Sequence, residues 1–106
     1  MTYDSAPCFV ACITHDTKVN IESEITITEL STKYRLCGIV YYANFHFVCR
    51  VIDHSGDIWF HDGAKHGNEA SHVGNIVNFN MRKLQTVGDH TMRLLVYTKL
   101  INRDSS

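Results

Sequence analysis

Apolar residues in this chain come in short runs separated by polar punctuation, and the runs are rich in β-branched and aromatic residues. Pro7 to Thr14 is one such run, short enough to favour a buried strand over a helix. His15 to Lys18 supplies polar turn material. Ile21, Ile25 and Ile27 then alternate with polar neighbours in the manner of a half-exposed strand. The strongest pattern follows: Tyr34 to Tyr42 is almost continuously apolar, Asn44 interrupts it, and Phe45 to Ile52 resumes it. Asp53-His54-Ser55-Gly56-Asp57 has hairpin-turn chemistry, with Gly56 suited to a left-handed backbone, and Ile58 to His61 reads as the return strand.

Beyond that hairpin the pattern weakens. Asp62 to Gly74 is rich in Gly, His and Asn and reads as a loop. Ile76 to Leu84 fits either an alternating strand or a helical turn. Val87 to His90 punctuates, Thr91 to Ile101 predicts a long strand, and Asn102 to Ser106 a polar tail. The expected fold is mostly β: a curved or partly closed antiparallel sheet of six or seven strands with little helix, in a single domain over residues 1–106. That length accommodates one core.

Composition narrows the functional classes. A hydrophobic fraction of 44% with 20% charged residues is ordinary for a folded domain. The net charge of −1, with Lys and Arg few and scattered, argues against a nucleic-acid surface. No apolar run approaches the roughly 20 residues that span a bilayer, and the first residues lack a secretory pattern, so an intracellular protein without membrane contact is expected. Cys8, Cys12, Cys37 and Cys49 lie in strand-like runs and form no Cys-x-x-Cys pair, which suggests buried, inert thiols.

An ordered set of segments carries a resemblance. Tyr34 to Tyr42, then Phe45-His46-Phe47, then Trp59-Phe60-His61-Asp62 resemble the C-terminal palm of the ubiquitin-specific proteases, which are papain-like cysteine hydrolases. Ala6 to Ile13 and Leu94 to Tyr97 are similar to the strands that flank that region in the family. The resemblance implies that His46 stands at the general base and that Asp62 is the acid orienting it. An imidazole in that role deprotonates a thiol and later protonates the leaving amine.

The departures matter as much as the matches. Asp62 lies three residues after Trp59, where the family's acid lies four after its Trp. In a strand, such an offset turns a side chain to the opposite face unless a bulge intervenes. Phe45 replaces the glycine before the family's histidine. The helix-borne cysteine box that supplies the family's nucleophile is absent, and Cys49, three residues after His46, should face away from it.

On these grounds the leading expectation is a non-catalytic protein-binding module. Ubiquitin, a ubiquitin-like protein or another protein tail is the ligand class, or the chain self-associates as a homodimer. Tyr42, Phe45, Phe47, Trp59 and Phe60 are the candidate binding aromatics, against the alternative that they simply pack the core. The other readings are a thiol hydrolase with His46 as base and its nucleophile on a partner chain or an unrecognised residue, and an effector-like protein keeping only the fold. His54, His61, His66 and His72, with Asp57 and Asp62, invite a metal reading, but their spacing matches no compact ligand motif, so neither metal nor cofactor is expected.

Overall fold

The computed structural model describes residues 7–14, 20–62 and 70–100. Eight strands form one antiparallel sheet: β1 (Phe9–Ile13), β2 (Glu24–Ile27), β3 (Thr32–Ala43), β4 (His46–Ile52), β5 (Asp57–His61), β6 (Ala70–Asn75), β7 (Thr86–Val87) and β8 (His90–Lys99). The main path runs β1-β8-β3-β4-β5-β6, with β2 added to β3 and β7 to β8. The sheet curls into a half-barrel, and the described residues contain no α-helix. The turn expected at His15–Lys18 and the tail at Asn102–Ser106 lie outside the described residues.

Register decides which residues face inward. Tyr34, Leu36, Ile39 and Tyr41 on β3, Val48 and Ile52 on β4, Ile58 on β5, and Met92, Leu95 and Tyr97 on β8 fill the concave side. Leu84, from a 3-10 turn at Met81–Leu84, closes over them. Two register shifts between β3 and β8, at Leu36/Gly38 and at Val40/Tyr41, bend the sheet. Bulges of this kind raise local twist and let a single sheet wrap a core. Arg50 points into this concave side. Its guanidinium donates to the Tyr41 hydroxyl at 3.0 Å and to the Lys83 carbonyl at 3.0 Å, and it lies 5.4 Å over the Tyr41 ring. The Tyr41 hydroxyl in turn donates to the Leu84 carbonyl at 2.5 Å. One polar hub thus ties the closing turn to the centre of the sheet.

Two sequence expectations need correction. The segment Asp62–Gly74 is not wholly loop, because Ala70–Asn75 forms β6 against β5. As an edge strand it has one paired side and exposed side chains, so the alternation that marks half-buried strands is missing. The cysteines are also less buried than expected: Cys8 is exposed, and Cys12, Cys37 and Cys49 are half-buried.

The β3–β4 connection positions the candidate site. Ala43 pairs with His46, which leaves Asn44 and Phe45 as a two-residue turn. Both have positive φ, 53° and 63°, as the favoured two-residue hairpin turn requires. Asn tolerates that conformation. A phenylalanine in the second position carries backbone strain that glycine would not.

Candidate functional site

His46 opens β4 immediately after this turn, on the same side of the strand as buried Val48 and Ile52. Its Nε2 lies 3.0 Å from Asp62 Oδ1. The β4–β5 register explains the approach. Cys49 pairs with His61 and no shift interrupts the ladder, so Asp62 comes opposite Val48, diagonal to His46 and on its face. The one-residue offset in spacing from Trp59 therefore does not turn Asp62 away. A carboxylate only accepts, so Nε2 carries the proton and Nδ1 is the acceptor nitrogen of the neutral ring. Among the described residues Nδ1 has no hydrogen-bond partner. The His46 side chain is 31% exposed and that of Asp62 13%, which leaves the imidazole open to an approaching group while its orienting carboxylate is largely covered.

His90 completes this rim, its ring edge-on to His46 at 5.3 Å with its Nε2 buried and unbonded. The spacing of residues along the chain does not reveal this neighbour. It follows from the β3–β8 ladder, which sets Tyr41 against Met92 and brings the start of β8 beside the β3–β4 turn.

No cysteine among the described residues reaches His46. Cys49 is on the outer face, paired with Val40 and His61. Burial pushes the thiols of Cys49 and Cys37 up from their ordinary pKa, against Arg35 in the case of Cys37, so both are held as protonated thiols at neutral pH.

The five candidate aromatics divide between the faces. Phe45 projects from the turn and is 94% exposed. Phe47 is 58% exposed on the outer face, its ring 4.5 Å from that of Tyr42, with the Arg93 guanidinium over Tyr42. Trp59 is also on the outer face, beside the His72 ring at 5.0 Å. Phe60 is not part of that surface. It pairs with Arg50 and packs against the core from inside. Two cross-strand rows of this face are mostly apolar: Ile13, Leu94, Val40 and Cys49 stand in one, which ends at His61, and Ala11, Val96, Gly38, Val51 and Trp59 in the next, while Arg35 and Thr98 pair beyond them.

The far end of the β4–β5 hairpin is a rigid polar turn. Asp53 accepts from the Ser55 and Asp57 amides at 2.9 and 3.0 Å and from Trp59 Nε1 at 3.1 Å. The Trp59 indole holds the Asp53 carboxyl below its ordinary pKa, and the two amides add to that effect. A groove of about 450 Å³ opens beside this turn, lined in part by Glu24, Arg35, Leu36, Asp53 and Ile76. His46 opens β4 and Ile52, which lines the groove, closes it, so the length of the strand at about 3.4 Å per residue lies between them. The groove and the His46–Asp62 pair are therefore separate features.

His72 meets Asp57 at 3.2 Å, while His61 belongs to the outer row with Cys49. His66 lies outside the described residues. Among the described residues no three metal-ligating side chains converge. No family model matches the chain, and no curated protein or solved structure matches it.

Proposed function

We propose that this chain is a protein-binding module whose contact site is the Phe45-His46-Phe47 tip with Asp62 and the adjoining outer-face aromatic Tyr42. The observation that carries this reading is Phe45. A large aromatic is held at φ 63° in a turn position that favours glycine, almost fully exposed, beside an imidazole fixed by a carboxylate. Strain combined with exposure gives the folded chain nothing, so a contact outside the chain accounts for it. Phe47 and Tyr42 extend the aromatic surface from the same turn. Exposed aromatic anchors of this kind dominate protein interfaces.

The resemblance to the palm of the ubiquitin-specific proteases names the partner class: ubiquitin, a ubiquitin-like protein or another protein tail. Calorimetric titration of ubiquitin into the protein tests this. Saturable binding lost on Phe47→Ala and weakened on His46→Ala is expected. Heats no larger than dilution at millimolar ubiquitin would remove ubiquitin as the partner.

A second reading draws on the pair itself. His46 has Nε2 held by Asp62 and Nδ1 available as a proton acceptor, the arrangement a general base requires. In that reading a partner chain brings a thiol to Nδ1, and the assembled pair is a thiol hydrolase. A mixture of the two chains whose hydrolysis disappears with His46→Ala supports it; hydrolysis unchanged by that substitution excludes it.

A further inference from the structure

β1 ends the sheet path, and one of its edges is open among the described residues. Among the described residues β1 is bonded to β8 alone. Thr14 N–H donates to the Arg93 carbonyl and Lys99 N–H to the Cys8 carbonyl. Even-numbered residues of this strand thus point their peptide groups toward β8. By alternation, Phe9, Ala11 and Ile13 direct three N–H and three C=O groups at the open edge. The strand itself carries no residue that blunts an edge: Phe9-Val10-Ala11-Cys12-Ile13 contains no charge, no proline and no glycine. Phe9 is 63% and Ile13 72% exposed.

We infer that two copies of this chain associate by antiparallel β1–β1 pairing about a two-fold axis at Ala11. The strand has its smallest side chain at Ala11 and its largest at the two ends, and that axis places Phe9 against Ile13 and Val10 against Cys12 of the second copy. All six peptide groups of each edge are then satisfied by six intermolecular hydrogen bonds. Ala11 itself meets Ala11 of the second copy, where a small side chain lets the strands close. The outer row Ala11, Val96, Gly38, Val51 and Trp59 continues directly into its counterpart, making one twelve-strand path from two six-strand ones. An isologous contact of this kind closes at two copies. A five-residue edge buries less than the roughly 1,200 Å² of a standard stable interface, so the dimer is weak and concentration-dependent. The inference stands apart from the ligand at His46.

Two variants test it. Light scattering across concentrations should show wild-type mass rising from monomer toward dimer. Ala11→Asp sets two like charges directly opposite each other at an exposed position and should hold the chain monomeric with an unchanged circular dichroism spectrum. Independently, Val10→Cys opposes the native Cys12 across the axis, in a non-hydrogen-bonded pair whose Cα separation of about 4.5 Å admits a disulfide. Diamide oxidation at high protein concentration should yield a covalent dimer whose linking peptide joins residues 10 and 12. A wild-type monomer up to millimolar concentration, a dimer indifferent to Ala11→Asp, or crosslinks mapping to other cysteines would each overturn the inference.

Discussion

Replacing Phe45 by glycine should make the protein more stable and a poorer binder. A non-glycine residue in the left-handed region carries roughly 1–2 kcal/mol of strain, and Phe45 has φ 63°. Glycine at that position removes the strain and restores the residue that two-residue hairpin turns prefer. It also loosens the unfolded chain, which offsets about 0.4–1 kcal/mol of the gain. Little packing is lost, because the side chain is 94% exposed. The net expectation is a gain of about 0.5–1 kcal/mol, which raises the midpoint of a domain this size by about 3–6 °C. Urea and thermal unfolding of wild type and Phe45→Gly measure it, and ubiquitin titration of both proteins gives the binding side. A variant less stable than wild type would show that Phe45 makes stabilising contacts. A variant more stable and equally good at binding would show that the strained aromatic is not part of the site.

Three further outcomes follow from the same structure. Tyr41→Phe strips a hydroxyl that donates to the Leu84 carbonyl and accepts from Arg50, and should cost about 1–3 kcal/mol in urea unfolding; a loss under about 0.5 kcal/mol would mean the hub is not a structural anchor. Burial, against the nearby Arg50, pushes the Tyr41 hydroxyl up to about 12, and burial does the same at Tyr97. The unfolded tyrosines ionise first, so stability should be full below pH ~10 and fall as pH rises toward 12; a flat urea midpoint across that window would contradict the burial of both rings. Asp53 has a lowered pKa, so its contribution is present above the ordinary carboxylate range and lost only as pH falls through the depressed value. The Trp59 indole N–H resonance should therefore hold its position through the ordinary carboxylate range and move only at more acid pH, and Asp53→Ala should shift it at neutral pH.

How much of this was legible in the chain varies by element. The β3–β4–β5 meander was, because strong β-branched and aromatic runs flank a turn with Gly at a position that needs positive φ. The expected curled antiparallel sheet matches the half-barrel. β6 was hidden, since an edge strand of Ser, His, Gly and Asn forms through pairing with β5 rather than through its own propensity. Asn44 marked the β3–β4 turn, but the phenylalanine after it masked the usual Asn-Gly signal. The pairing of His46 with Asp62 could be anticipated only through resemblance, and spacing alone argued against it. What decides it is the Cys49–His61 register, a property of two strands together that neither strand's sequence states. The same register sends Trp59 outward and Phe60 inward. His90 beside His46, and Arg50 as a polar hub within the core, are long-range consequences of β8 and of the closing turn.

The central claim is that the tip at Phe45–Phe47 and the end of β5 form one protein-binding site. The most direct measurement is an NMR titration of isotope-labelled protein with unlabelled ubiquitin, following the amides of residues 41–62. The account predicts saturable shifts centred on Phe45–Phe47 and on His61 and Asp62, with the Asp53–Asp57 turn unmoved. Amides that stay fixed at millimolar ubiquitin, or shifts confined to the groove beside Asp53, would contradict it.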